Sequence, residues 1–157
     1  MEKGCFEDFK PGDSLVSPGR TITETDLVLF ANLTGDWHQL HTDAEYAKDT
    51  AFGERIAQGL LILSIAGGLM FRGAKSGLLA DATLALWSLD KVRFVGATRI
   101  GDTVHLESEI TQLTEVDLDR GLLTMNHRVK NQRGEEVLTC TLKLLVKRRS
   151  ERRPLDG

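Results

Sequence analysis

A long hydrophobic segment without a polar face lies near the middle of the chain. Residues 56–71 are apolar at nearly every position, and Gln58 and Ser64 are the polar exceptions. A surface helix would carry a polar face, and strands seldom exceed ten residues. The pattern therefore predicts a helix that begins near Ala57 and is enclosed by other elements.

Hydrophobic and polar residues alternate in the second half of the chain. This period of two predicts strands over residues 83–95, 103–111, 123–129 and 138–146. Short turns such as residues 131–134 join strands in antiparallel order. An antiparallel sheet with one apolar face must cover that face, and the hydrophobic helix can do so. We therefore predict an α+β domain whose antiparallel sheet wraps around a long central helix.

Capping residues predict a second helix in the first third of the chain, after a short strand over residues 14–16. Thr23 can cap the first amides, Asp26 occupies the reciprocal position of a capping box, and Gly35 ends the helix. The predicted buried face of this helix consists of Leu27, Phe30, Ala31 and Leu33.

The composition is that of one soluble domain with no overall basic charge. The chain has 157 residues, and 20 Lys and Arg against 23 Asp and Glu give a net charge of −3. This balance argues against nucleic acid as a partner. Residues 147–153 carry five positive charges and one negative charge. We expect one domain over residues 1–147 and a basic tail over residues 148–157, either solvated or in contact with an anionic ligand or nucleic acid.

The two cysteines and the hydrophobic segments indicate where the protein works. Cys5 and Cys140 form no metal-binding or disulfide pattern, so no metal site is expected. The first residues lack a secretory signal pattern, and the longest apolar run is about 12 residues where a membrane span needs about 20. We therefore expect a cytoplasmic protein without a membrane partner.

The segment between the two predicted helices concentrates residues with reactive side chains. Residues 36–41, predicted as an irregular loop, hold Asp36 and His41, and a short helix over residues 43–48 follows, capped by Thr42 or Asp43. A carboxylate and an imidazole brought together by a bent loop can hold one water and move its protons. The alternative is that Asp36 caps a turn and His41 caps the next helix.

Gly59 lies at the start of the long hydrophobic helix. A glycine there lets a ligand approach backbone amides that have no partner within the helix. Those donors could stabilise an enolate-like oxygen. The alternative is a glycine required only for packing.

A motif that includes the reactive segment resembles one from a known family. Its sequence is Thr34-Gly35-Asp36-Trp37-His38-Gln39-Leu40-His41. It resembles the hydratase-2 motif of the MaoC-like dehydratases, which include the (R)-specific enoyl-CoA hydratases. Further similar segments are residues 52–56, 57–61, 89–94 and 101–104. The resemblance implies a hotdog fold, dimers or higher assemblies, and activity on acyl-CoA thioesters.

The resemblance also implies roles for individual residues. Asp36 and His41 match the pair that activates water, and Gly59 matches the backbone donor to the thioester carbonyl. The chain departs from the motif in three places. His38 and Gln39 replace its Asn and Pro, Gln58 replaces a His that often precedes the helix glycine, and a hydroxyl residue found deeper in some family helices falls at Gly67, one turn after Ser64. The candidate substrate-binding residues are Gly59, Gln58, His38 and Ser64.

The function implied is reversible hydration of an enoyl-CoA to a (R)-3-hydroxyacyl-CoA, a lyase reaction of fatty acid metabolism. No cofactor is expected, because CoA is part of the substrate, and the expected partner is a second copy of the chain. One alternative is a hotdog thioesterase that cleaves the acyl-CoA bond. The other is a non-catalytic protein that binds acyl-CoA or a protein partner.

Overall fold

The computed structural model describes residues 4–72 and 76–149. Residues 1–3 and residues 150–157 of the expected basic tail lie outside the described residues. The helices are α1 (Glu24–Thr34), α2 (Gln39–Thr42), α3 (Ala44–Lys48), α4 (Gly59–Met70) and α5 (Ser76–Ala82), preceded by a short 3-10 helix (Phe6–Asp8). The strands are β1 (Ser14–Val16), β2 (Arg20–Thr21), β3 (Thr83–Phe94), β4 (Thr103–Glu115), β5 (Arg120–Lys130) and β6 (Glu136–Lys147).

The strands form one antiparallel sheet, which confirms the predicted class. The strand order is β1-β4-β5-β6-β3, and β2 also pairs with β4. Long strands with period-two burial supply an apolar inner face; in β5, for example, Leu123, Met125 and Val129 are buried. Within the described residues β3 pairs with β6 alone, so β3 is an edge of the sheet.

Helix α4 packs on the inner face of the sheet. Its buried side chains belong to the same hydrophobic core as the inward-facing residues of β4, β5 and β6, and they are Leu61, Ile62, Ile65, Ala66, Leu69 and Met70. The prediction that this helix is enclosed on every side is wrong for the single chain. Leu60, Ser64 and Gly68 face solvent in a row along the helix, and Leu60 is 59% exposed. One chain's sheet covers only one side of a helix that is apolar all round.

Helix α1 forms as its capping residues predict. The Thr23 side chain accepts from the Asp26 amide, the Asp26 carboxylate accepts from the Thr23 amide at 2.8 Å, and Gly35 ends the helix at a φ of 78°. Leu27 and Ala31 are buried, but the prediction for Leu33 is wrong because this side chain is 82% exposed. Six residues after Leu27, position 33 has turned to another face of the helix.

The predicted irregular loop 36–41 is partly helical. Residues 39–42 form α2, and the Leu40 amide donates to Nδ1 of His38 at 3.1 Å. The predicted helix that follows is confirmed as α3, with Asp43 accepting from the Tyr46 amide at 3.0 Å. The two short helices place Asp36 and His41 beside the start of α4.

The first residues of the expected basic tail pair with acidic groups of the domain. Arg148 contacts Glu7 at 3.1 Å and Glu115 at 3.0 Å, and Arg149 contacts Asp8 at 2.6 Å. At these two positions the basic charge is engaged by the chain's own carboxylates. Among the described residues, no helix has the length and apolar character needed to cross a membrane.

Candidate active site

A cleft of about 450 Å³ opens where the start of α4 meets α2 and the segment that follows β3. Its walls are mainly apolar, with a few polar side chains among them. The lining residues that matter for chemistry are Asp36, His41, Phe52, Gly59, Phe94 and Thr98. An apolar cleft with few convergent polar groups is the usual form of a small-molecule site.

His41 is held in one orientation by a backbone carbonyl. Its Nδ1 lies 2.7 Å from the carbonyl oxygen of Ile56, and its side chain is 13% exposed. A carbonyl oxygen only accepts hydrogen bonds, so Nδ1 carries the proton in the neutral ring. Nε2 therefore keeps its lone pair, which is the form of imidazole that can take a proton from water.

The Asp36 carboxylate faces His41 across a gap that fits one water. Oδ2 of Asp36 lies 4.0 Å from Nε2 of His41, and the Asp36 side chain is 44% exposed. This distance is too long for a direct hydrogen bond, but a water about 2.8 Å from both atoms fits with an angle of about 90° at its oxygen. The structure thus brings together the two side chains that the sequence spacing suggested.

Gly59 begins α4 at the floor of the cleft. Its amide is one of the first four in the helix, which have no acceptor within the helix. A Cβ at this position would lie 2.9 Å from ring carbons of Phe94, so only glycine allows Phe94 to pack this closely. Gly59 therefore meets both interpretations of the sequence: it allows close packing against Phe94, and it brings a backbone amide to the cleft.

Gln58, His38 and Ser64 are not among the residues that line the cleft. Gln58 is buried, with Nε2 3.3 Å from the Leu27 carbonyl oxygen and Oε1 without a hydrogen-bond partner among the described residues. His38 is exposed and caps α2, with its ring centroid 6.1 Å from that of His41. The Ser64 hydroxyl donates to the Leu60 carbonyl at 2.8 Å and lies in a separate groove beside Arg20 and Arg72. These three side chains therefore do not form part of the cleft wall.

Sequence reasoning missed the Ile56 carbonyl and the aromatic walls of the cleft. Phe52 and Phe94 fall in segments that resemble the family, but nothing in their spacing marked them as lining residues. A carbonyl group occurs at every residue, so no sequence signal identifies the one that orients His41. In the described part of the chain, no group of three or more His, Cys, Asp or Glu residues could hold a metal ion.

Comparison with known proteins identifies the family. Residues 8–132 match the model of the MaoC like domain, and the chain belongs to that family. A (R)-specific enoyl-CoA hydratase from Rhodospirillum rubrum is 38% identical over 108 residues, which are 69% of this chain and 70% of that protein. Protein MaoC of Klebsiella aerogenes is 37% identical over 101 residues, which are 64% of this chain but only 29% of that longer protein.

Solved structures agree with the family assignment. A monoamine oxidase regulatory protein from Archaeoglobus aligns with a TM-score of 0.85 and 38% identity, covering 94% of this chain and 96% of that chain. A MaoC-like dehydratase from Rhodospirillum rubrum aligns with a TM-score of 0.80 and 28% identity, covering 92% of this chain and 97% of that chain. A Mycobacterium tuberculosis protein described as a double hotdog fold aligns with a TM-score of 0.79 and 19% identity over 97% of this chain and 46% of its own. The fold is therefore a hotdog fold, as the sequence resemblance implied.

Proposed function

We propose that this protein is a hydratase that interconverts a trans-2-enoyl-CoA and a (R)-3-hydroxyacyl-CoA. The observation that carries the proposal is the pairing of His41 Nε2 with Asp36 Oδ2 at 4.0 Å, in a cleft whose floor is Gly59. Relatives named (R)-specific enoyl-CoA hydratase and 3-hydroxybutyryl-CoA dehydratase support the reaction class.

Each group has one task in the proposed reaction. Asp36 and His41 hold a water whose oxygen attacks C3 of the enoyl group and whose proton passes to one of the two side chains. The electron pair of the C2–C3 double bond moves onto the thioester oxygen, where the Gly59 amide stabilises the negative charge. Return of a proton to C2 completes the addition of water, and the reverse sequence of steps is dehydration.

The proposal needs neither a metal nor a redox cofactor. The thioester carbonyl already accepts the electron pair, and CoA arrives and leaves as part of the substrate and product. A cytoplasmic location and a role in fatty acid metabolism are predictions that accompany this proposal.

The working protein in this proposal is a homodimer. The exposed apolar side chains of edge strand β3 are Leu84, Leu86, Trp87, Leu89 and Phe94. An unpaired edge strand favours pairing with an identical strand, and a symmetric dimer is the commonest closed assembly. Because Phe94 is both on β3 and in the cleft wall, a second copy at this edge would complete the cleft.

Incubation with crotonyl-CoA separates the proposal from its two alternatives. A hydratase consumes the enoyl absorbance without releasing thiol, and chiral analysis of the product gives the (R) isomer. A thioesterase would release free CoA thiol, while a binding protein would leave the substrate intact and retain it on equilibrium dialysis. Either of the last two results would overturn the proposal.

A further inference from the structure

His41 is oriented by a short backbone segment that is itself held from elsewhere. The Ile56 carbonyl that binds His41 belongs to an extended stretch just before α4. This stretch pairs with the segment after β3 through an antiparallel bridge between Ile56 and Arg99. In the same pairing the Ala57 amide donates to the Thr98 carbonyl at 2.8 Å. The orientation of His41 therefore depends on where residues 98 and 99 lie.

Asp102 fixes residues 98 and 99 from the opposite side. Its Oδ2 accepts from the Arg99 amide at 2.8 Å, and its Oδ1 accepts from Gln132 at 2.8 Å and from Arg133 at 3.1 Å. Only 4% of Asp102 is exposed. Burial by itself raises the pKa of Asp102, but the hydrogen bonds from Arg99, Gln132 and Arg133 outweigh it and lower that pKa below its ordinary value. The carboxylate is thus charged at neutral pH and holds the Arg99 segment against the β5–β6 turn.

The Arg99 side chain also contacts the segment that contains Phe52, which lines the cleft as well. Its Nε pairs with Glu54 at 2.6 Å, and its Nη2 donates to the Phe52 carbonyl at 3.3 Å. One residue thus contacts the Ile56 segment through its backbone and the Phe52 segment through its guanidinium group. Asp102 holds the backbone of that residue.

We propose that Asp102 is a positioning residue for His41, acting through the backbone of Arg99 and Ile56. The proposal rests on the proposed function, in which His41 handles the proton of water. Asp102 keeps the Ile56 carbonyl where it accepts from Nδ1 of His41, so that Nε2 stays unprotonated and points at the water. Displacement of a catalytic group by about 1 Å can lower a rate by roughly 100-fold, which gives such a distant anchor a measurable effect.

Substitutions at Asp102 test the proposal by two readouts. Asp102→Ala removes the acceptor for the Arg99 amide. Asp102→Ser keeps a polar group, but the serine side chain is too short to reach the Arg99 amide. We expect kcat for crotonyl-CoA to fall roughly 10- to 100-fold in protein that circular dichroism shows to be folded. Asp102→Asn retains an oxygen for the Arg99 amide and is expected to recover most of the rate. If the alanine variant does not fold, the serine variant supplies the measurement.

The second readout is the tautomer of His41, measured by ¹⁵N NMR of the imidazole ring. His41→Gln assigns the signals. If Asp102 only stabilised the fold, its replacement would leave this tautomer unchanged. We expect the Nδ1–H form in the wild type and in Asp102→Asn, and a mixture with the Nε2–H form in the alanine or serine variant. Glu135→Gln is the matched control, because Glu135 pairs with Arg133 at 2.8 Å but does not contact Arg99.

The outcomes separate this inference from the proposed function. An unchanged His41 tautomer in a folded alanine or serine variant overturns the positioning role, whatever the activity. An equal tautomer change in Glu135→Gln also overturns it, because any loosening of the turn would then suffice. If the tautomer changes as expected but no form of the protein hydrates crotonyl-CoA, the proposed function fails and the positioning role stands.

Discussion

At the scale of single residues, Asp36 is the side chain on which the proposed reaction depends most directly. Asp36→Asn keeps the size of the side chain but removes its ability to take a proton, so we expect hydration of crotonyl-CoA to fall about 10²- to 10⁴-fold. The fold should persist, because the Asp36 side chain is partly exposed and its amide and carboxylate make only long hydrogen bonds, of 3.3 Å and 3.4 Å. Steady-state kinetics measure the loss, and Asp49→Asn on the exposed end of α3 is the matched control. Turnover near that of the wild type would contradict the mechanism.

The second prediction for a single residue concerns His127 and the pH dependence of the free energy of unfolding. It lies in the core with 2% exposure, its Nδ1 is 3.0 Å from the Ser108 hydroxyl, and its Nε2 has no partner among the described residues. Burial lowers the pKa of His127 to about 4. The unfolded chain, with an ordinary histidine pKa near 6.5, binds this proton more readily than the folded chain.

The sign of the effect follows from that difference in pKa. The neutral form of His127 contributes fully to the free energy of unfolding above pH 6.5. This contribution, about 3 kcal/mol in total, is lost as the pH falls toward 4. Urea unfolding at pH 7 and pH 4.5 should show a smaller loss of unfolding free energy for His127→Gln than for the wild type. Equal losses for His127→Gln and the wild type would rule out this role for His127.

At the scale of elements, α2 is a short helix capped by a histidine side chain. His38 accepts from the Leu40 amide through Nδ1, which is possible only while that nitrogen carries no proton. Without this side-chain acceptor, the Leu40 amide in the first turn of α2 has no partner within the helix. Since α2 carries His41, loss of the cap would disturb the pairing of His41 with Asp36.

The replacements His38→Ala and His38→Asn test this cap, because alanine removes the acceptor whereas an asparagine oxygen can accept the same hydrogen bond. We expect kcat/KM for crotonyl-CoA to fall about fivefold in His38→Ala, which corresponds to the loss of about 1 kcal/mol with a helix cap. His38→Asn should stay near the wild type, and steady-state kinetics at one fixed pH measure both variants. Equal kcat/KM in all three proteins would show that the cap does not govern activity.

The elements also show how far the sequence alone could lead. Thr23, Asp26 and Asp43 are standard capping residues, so α1 and α3 were predictable from local chemistry. Helix α2 was not, because histidine is an uncommon cap. The hydrophobic run begins at Ile56, but Ile56 and Ala57 pair with the segment after β3, and only tertiary structure shows that the helix starts at Gly59.

The candidate site was predictable to a similar degree. Asp36 and His41, five positions apart, suggested a water-holding pair, and the fold brings Oδ2 of Asp36 to 4.0 Å from Nε2 of His41. The side of α4 that lines the cleft was not predictable from the sequence. Ser64 lies five residues after Gly59 and so points to a different side of α4, while Gln58 packs against α1 from the position just before the helix.

At the scale of the whole molecule, the uncovered β3 edge predicts the state of association. Leu86 and Trp87 are more than half exposed in the single chain, so Leu86→Asp or Trp87→Asp should leave the monomer folded and weaken pairing of β3 with a second copy. Sedimentation velocity over a range of concentrations measures the change. Leu118→Asp, at an 84% exposed position in the β4–β5 turn, is the control expected to stay dimeric. A wild-type protein that is monomeric at all concentrations and fully active would contradict the dimer.

The position of β6 in the sheet has a consequence for the synthesis of the protein. Among the described residues, β6 lies between β5 and β3 and is the sole partner of β3, yet it is the last strand in the chain. In a nascent chain on the ribosome, the backbone hydrogen-bonding groups of β3 therefore lack their partner strand until residues 136–147 have been made. The sheet is complete only once residues 136–147 have been made, and a chain cut short before residue 136 lacks the strand that joins β5 to β3.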